Sequence, residues 1–411
     1  MDALKLIIAI AAKFNWVCKQ LDIKAAYLNA RLDEEIYVMI PQGDRYFERG
    51  YWRLNKALYG LKQSGRQWNR TISNFLTKNG YKQLKSEQCI FIKENKNKLT
   101  CIIGIYVDDM IITGIENETN KIIKRIKENF KISNSGDLNY ILGIEIENKN
   151  NIYYISQKNY INNILERFNI NNIKKSKTPC TGDNIKTENK KEFNKTIYKS
   201  AIGALIFLSK CTRPDITFAV HKAARNCEEP TISDWKKVMN ILKYLNGTKE
   251  YKLKYDGKGE IIAYSDADFA GDIKDRKSTS GYIILMGNSP ISWSSKKQTI
   301  VATSTAEAEY ISTSECIKKI LWFKNILNEI FKFSKPIKLY TDNLSSKTSM
   351  ENGDLSTKLK HIEIKYYFNK DLIEKNIIKL EYINTYEILA DILTKNVNGT
   401  KMTKFANKIF F

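Results

Sequence analysis

No Cys-x-x-Cys pair occurs among the seven cysteines, which are scattered at Cys18, Cys89, Cys101, Cys180, Cys211, Cys227 and Cys316. An odd number without paired spacing indicates neither a disulfide framework nor a zinc site. Also missing is any apolar run near the roughly 18 residues that argue a membrane span. The N-terminal stretch Leu6-Ile7-Ile8-Ala9-Ile10-Ala11-Ala12 is short for a signal-peptide core and follows Asp2, so it reads as a buried helix. The expectation is a soluble, intracellular chain with no membrane partner. Negative charge is in deficit, with 45 Asp plus Glu facing 67 Lys plus Arg for a formal charge of +22. Such a surplus attracts polyanions in a salt-dependent way and makes nucleic acid the leading partner. A Lys-rich surface that merely keeps the chain in solution is the alternative. What is present in quantity is apolar content, 43% of 411 residues, enough for two or three domains with real cores.

Residues 1 to about 160 alternate helical and strand-like patterns. The segment Asn169 to Thr196 is rich in Asn, Lys, Thr and Glu and reads as a linker or mobile loop. Tyr198–Leu208 and Ile232–Leu245 then have helical periodicity. From about Gly257 a strand texture returns in Ile261–Ser265, Gly281–Leu285, Ile291–Ser294 and Ile337–Thr341.

Two groups of acids stand out. The first centres on Tyr106-Val107-Asp108-Asp109, which interrupts two β-branched runs and predicts antiparallel strands joined by an acidic turn. Adjacent carboxylates beside a core repel each other unless a cation neutralises them, and a divalent metal does so naturally. A plain solvated turn is the other reading. Upstream, Asp22 follows a short strand-like segment and offers a third carboxylate. The second group lies in the C-terminal third. Asp266 ends a strand, Glu307 sits in the acidic first turn of a helix, Asp342 ends another strand, and Asp391 lies in Ala390-Asp391-Ile392-Leu393-Thr394-Lys395. Singly, each suits a capping or surface role, and only folding could gather them.

Several ordered motifs together resemble copia-type long-terminal-repeat retrotransposon Pol proteins, in their reverse transcriptase and ribonuclease H portion. They are Gln20-Leu21-Asp22-Ile23-Lys24-Ala25-Ala26-Tyr27-Leu28-Asn29, Leu58-Tyr59-Gly60-Leu61-Lys62-Gln63-Ser64 with Arg66-Gln67-Trp68, the Tyr106–Asp109 turn, and Leu138–Glu145. Tyr264-Ser265-Asp266-Ala267-Asp268, Asp275–Tyr282, Trp293–Gln298 and Lys360-His361-Ile362 extend the resemblance through the C-terminal third.

The resemblance implies an α+β fold: a polymerase palm with partial fingers over 1–168, a linker and helical thumb or connection over 169–256, and an α/β ribonuclease H-like domain with a mixed sheet over 257–411. It implies two Mg²⁺ per site, with Mn²⁺ a substitute, acting on phosphate esters of RNA and DNA. Asp22 and Asp108 would bind both polymerase metals and Asp109 would be a weaker ligand. Tyr27 would lie under the incoming sugar and Gln63 against the nascent base pair. Lys62 and Arg66 could reach phosphates, with solvated surface an equal reading. Asp266, Glu307, Asp342 and Asp391 would hold the ribonuclease H metals, with Asp268 and Glu309 as close alternates. His361 could assist product release or sit on a helix surface. The implied partners are an RNA template, a DNA primer, dNTPs, an RNA/DNA hybrid and other Pol segments.

The pattern breaks in places. Met1 falls inside what resembles the helix before Asp22, so most of the fingers and their triphosphate clamp are missing, and impaired polymerisation is expected. Protease, integrase and capsid-like segments are absent too. An inactive transposon relic that only binds nucleic acid is the alternative. Ala30 and Gly65 replace the family's usual Gly and Pro, Phe269 its Trp, and Ala306 its Thr. If Ala30 takes a positive φ, the strain is about 1 kcal/mol.

Overall fold

The apolar N-terminal stretch forms helix α1 (Asp2–Lys13), with Leu4 through Ala12 all buried. It belongs to the larger of two units into which this computed structural model divides by packing: Met1–Asn15, Gly143–Asn328 and Lys332–Phe411 form one, Trp16–Leu142 with Glu329–Phe331 the other. The structure describes residues 1–47, 50–170, 174–180, 191–352 and 363–411, with several sheets in a mixed α+β arrangement. No helix among the described residues is long and apolar enough to cross a membrane.

In the smaller unit the order is β1 (Cys18–Ile23), a 3-10 turn (Ala26–Asn29), β2 (Tyr37–Met39), β3 (Tyr51–Arg53), α2 (Ser64–Lys78), β4 (Lys82–Gln83), β5 (Ile90–Asn95), β6 (Lys98–Tyr106), β7 (Asp109–Gly114), α3 (Glu116–Asn129), β8 (Ile132–Asp137) and β9 (Tyr140–Ile141). Six strands form an antiparallel sheet in the order β4-β5-β6-β7-β1-β8. Strands β6 and β7 are buried along most of their length, which is why they read as continuous apolar runs rather than alternating ones. Helix α2 buries Trp68, Ile72 and Leu76, spaced one turn apart, in a core with Leu21, Phe91, Ile103, Met110 and Ile122.

The larger unit continues with β10 (Ile144–Lys149), β11 (Ile152–Ser156), α4 (Lys158–Arg167), α5 (Lys195–Cys211), α6 (Thr217–Ala224), α7 (Ile232–Gly247) and β12 (Leu253–Tyr255). Both helices expected after the Asn/Lys-rich segment are present. Part of that segment lies outside the described residues, and its last two residues already belong to α5, whose N-cap Asn194 accepts a hydrogen bond from the Ile197 N–H at 3.0 Å. Helix α7 opens with a capping box in which Thr231 and Asp234 satisfy each other's backbone N–H. Helices α4 to α7 share a core of Ile161, Leu165, Leu205, Val220 and Leu242.

A second sheet follows from β13 (Ile261–Asp268), β14 (Thr279–Met286), β15 (Ser289–Lys297), helix α8 (Thr305–Phe331), β16 (Ile337–Thr341), α9 (Leu344–Asn352), α10 (Glu363–Glu374), β17 (Ile378–Tyr382), a 3-10 turn (Leu389–Leu393) and α11 (Gly399–Ile409). Its strand order is β15-β14-β13-β16-β17. The β13–β14 and β14–β15 pairs are antiparallel and the β13–β16 and β16–β17 pairs parallel, so the sheet is mixed. Helix α1 lies against this region: the Asp2 carboxylate accepts from Ser292 Oγ and pairs with Lys319, both at 2.9 Å, and the Lys5 ammonium sits 3.4 Å above the Trp293 ring. Burial pulls the Lys5 ammonium down to about 8.

Candidate active sites

In the smaller unit, backbone pairing brings the first acids together. Asp22 on β1 lies directly opposite Asp109 on β7, and Asp108 occupies the two-residue loop between β6 and β7. The Ile23 N–H donates to the Asp108 carbonyl at 2.9 Å, fixing the loop against β1. Burial first, then the charges of Asp22 and Asp108, raise the Asp109 carboxyl above the usual carboxylate range. Opposed like charges weaken a strand pair, so this patch favours a cation.

The turn stores strain. Val107 has φ +56°, a conformation that a β-branched residue rarely accepts and a tight hairpin loop usually gives to Gly. Its carbonyl accepts from the Trp68 indole N–H at 2.7 Å, an anchor supplied by the buried face of α2. Strain of this kind persists where surrounding contacts over-determine the backbone.

Tyr27 lies beside the acids. Its ring packs against Tyr59 with centroids 4.6 Å apart, and the Tyr59 hydroxyl donates to Asp108 Oδ2 at 3.4 Å. Tyr59 was not singled out from sequence, although it lies inside the quoted Leu58–Ser64 motif. Its contact with Asp108 is 49 residues away and invisible to local pattern. Gln63 is the half-buried N-cap of α2 and donates to Glu34 at 3.4 Å, while Lys62 and Arg66 are exposed. The condition for strain at Ala30, a positive φ, is not met. Ala30 is extended, with φ −97°, and the left-handed residue is Ala25, with φ 51°, which opens the 3-10 turn carrying Tyr27.

In the larger unit, three of the four expected acids converge. Among the described residues, Asp266, Asp342 and Asp391 are the one set of three ligating side chains whose oxygens all lie within 4.8 Å of one another. Asp266 projects from β13, Asp342 follows the last residue of the adjacent parallel strand β16, and Asp391 comes from the 3-10 turn. The turn closes onto the sheet because Gly281 faces Asp266 across the β13–β14 ladder. A Cβ there would come within 2.6 Å of the Thr394 methyl and 2.8 Å of Leu393 Cβ. Thr394 Oγ donates to Asp266 Oδ2, and Ser312 Oγ holds the Asp266 carbonyl at 2.6 Å. Burial, then the Asp266 charge, raises the Asp342 carboxyl. Asp268, one strand position pair further along, is raised first by burial.

Glu307 is not part of this convergence. It is fully buried, but its carboxylate accepts from the Thr303 N–H and Oγ, both at 2.7 Å, while its own N–H donates to the N-cap Ser304 at 3.2 Å. Glu309 faces the acids instead. One oxygen accepts from the Ala267 N–H at 3.1 Å and the other, Oε2, is buried without a hydrogen-bond partner. Burial, then the charges of Asp266 and Asp342, push its carboxyl well above the ordinary range. The correction has a simple cause. The third residue of a helix turns back toward its cap, and 200° of helical rotation separates Glu309 from it at about 100° per residue. His361 lies outside the described residues.

Carboxylate oxygens in this density suit a hard divalent cation such as Mg²⁺, and a buried Glu309 oxygen without a partner, close enough to feel the charges of Asp266 and Asp342, is a group such an ion would satisfy.

A family model described as reverse transcriptase (RNA-dependent DNA polymerase) matches residues 1–182. A transposon Ty5-1 protein of Saccharomyces cerevisiae is 31% identical over 73% of this chain and 100% of its own length. This chain belongs to the copia-type retrotransposon Pol family. The retrovirus-related Pol polyprotein from transposon TNT 1-94 of Nicotiana tabacum is 36% identical over 98% of this chain and 31% of that protein. The Pol polyprotein from transposon RE1 of Arabidopsis thaliana is 32% identical over 99% and 28%. This Pol chain therefore spans under a third of the length of those polyproteins. A solved structure of LC11-RNase H1 in complex with RNA/DNA hybrid aligns over 33% of this chain and 94% of that chain, at 16% identity and a TM-score of 0.27.

Proposed function

We propose that this Pol chain is an RNA-directed DNA polymerase with a ribonuclease H domain, and that both activities use two-metal phosphoryl transfer. The observation that carries the nuclease half is the meeting of Asp266, Asp342 and Asp391 within 4.8 Å, beside the unpartnered Glu309 Oε2. Two Mg²⁺ ions, or Mn²⁺ in their place, supply Lewis acidity and an activated nucleophile when bound between such carboxylates. Asp266, Asp342, Asp391 and Glu309 would hold them in one unit and Asp22, Asp108 and Asp109 in the other.

The rest follows from the chain's own groups. The antiparallel sheet is the palm, helices α4 to α7 the thumb and connection, and the mixed sheet the ribonuclease H domain. Tyr27, braced by Tyr59, would lie under the incoming sugar and disfavour a 2′ hydroxyl. Gln63, Lys62 and Arg66 would meet the primer–template and triphosphate. The +22 charge draws in the RNA template, the DNA primer, the hybrid and dNTPs.

The test is incubation of the full chain with Mg²⁺ and a labelled RNA/DNA hybrid, with Asp342→Asn as control. RNA cleavage lost in the control is the expected result. Equal cleavage, or none in either protein, would remove the nuclease assignment.

A further inference from the structure

We propose that Lys401 is a built-in counter-ion of the Asp266, Asp342 and Asp391 cluster, which an entering divalent cation must displace, so that one lysine sets the metal affinity of the site. The proposal rests on reading that cluster as a metal site. Its basis is geometric. Lys401 Nζ is ion-paired with Asp391 Oδ2, and it also donates to the Thr385 carbonyl at 2.9 Å. Asp391 is 1% exposed and Asp266 2%, so water screens neither well.

A second ammonium, that of Lys395, lies 2.8 Å from Asp391 Oδ1 and 3.8 Å from Asp266 Oδ2. The two are placed differently. Lys395 is one helical turn from Asp391 and stays close through local backbone. Lys401 reaches in from α11, where Asn398 caps the helix by accepting from the Lys401 N–H at 2.9 Å.

An ammonium offers only donors and cannot share a carboxylate lone pair with a metal. Each carboxylate oxygen carries more than one lone pair, so the competition is electrostatic: an ammonium held at Asp391 Oδ2 repels a divalent cation that approaches the same oxygen. The structure also gives the displaced side chain somewhere to go. Lys401 borders an open cleft of about 170 Å³ lined by Ile383, Tyr386, Leu389, Lys404 and Phe405, and Lys404 already bonds the Tyr386 carbonyl there at 3.1 Å. Rotation of the Lys401 stem toward this cleft, which Glu387 and Lys408 also line, would free Oδ2.

The test measures binding. Free Mn²⁺ is counted by electron paramagnetic resonance against the full chain carrying Asp108→Asn, which weakens the other acidic patch. Lys401→Gln is expected to bind Mn²⁺ about tenfold more tightly at the cluster, because a competing cation is gone, and Lys401→Arg to stay near the parent. Circular dichroism establishes that each variant is folded. A folded Lys401→Gln with equal or weaker affinity would overturn the proposal and make Lys401 a residue that orients Asp391. Mn²⁺ binding that is indifferent to Asp342→Asn in every variant would instead reject the metal site, and the role of Lys401 with it.

Discussion

Replacing Glu309 by Gln and, separately, Glu307 by Ala distinguishes two buried acids only two residues apart. Glu309→Gln keeps shape and removes a charge that burial and the neighbouring Asp266 and Asp342 disfavour. Its folded pKa lies above the ordinary value of 4.5, so the folded chain holds that proton more tightly than the unfolded chain. Stability therefore falls as pH rises from 4.5 towards the folded value, and the lost portion stays lost above it. Without metal at pH 7, Glu309→Gln should be more stable than the parent by about 1–3 kcal/mol, the scale of an uncompensated buried polar group. The gain should shrink below pH 4.5. Cleavage of an RNA/DNA hybrid should drop by at least ~100-fold, as when one electrostatic contributor to a transition state is removed. Glu307→Ala behaves oppositely. It breaks two 2.7 Å hydrogen bonds to Thr303 and should destabilise by about 2–3 kcal/mol, yet the remaining folded protein should cleave within about threefold of the parent. Urea melts in EDTA and initial cleavage rates at saturating Mg²⁺ measure both. Parent-like cleavage by Glu309→Gln together with a folded but inactive Glu307→Ala would refute the geometric assignment.

Asp108→Asn should abolish primer extension on an RNA template while leaving hybrid cleavage unchanged, and loss of both would mean that the two acidic groups are not separate centres. Gly281→Ala should force the turn carrying Asp391 away from β14, because the new methyl would come within 2.6 Å of Thr394. A loss of about 1–3 kcal/mol in urea melts and reduced hybrid cleavage are expected, and parent-like values for both would dismiss the close-approach argument. Trp68→Phe removes the indole N–H that holds the strained Val107 carbonyl, so stability should fall by about 1–2 kcal/mol and primer extension should slow, with unchanged melts counting against the anchor.

Much of the local structure was legible because it follows from period and spacing. The apolar runs flanking the acids became β6 and β7, with Asp108 in the loop between them and Asp109 the first residue of β7. The helical periodicities at 198–208 and 232–245 became α5 and α7. Ile337–Thr341 is β16 residue for residue. Packing was less legible. Residues 1–15 and 143–168 read with the N-terminal pattern, whereas they group with the unit that contains the mixed sheet. Nothing in the amphipathicity of α1 names the surface it covers, since burying Leu6, Ile8 and Ile10 favours any apolar partner equally.

The sequence by itself determined that two ordered groups of acids stand at strand ends and turns, because residue type and periodicity are written locally. Only the tertiary structure decided that Glu309 rather than Glu307 faces Asp266, that Ala25 rather than Ala30 turns left-handed, and that Lys401 reaches Asp391. Those outcomes depend on where a helix is capped, how closely Gly281 lets a turn approach, and which oxygens are left buried without a partner. They are properties of distances between elements, which no spacing along the chain encodes.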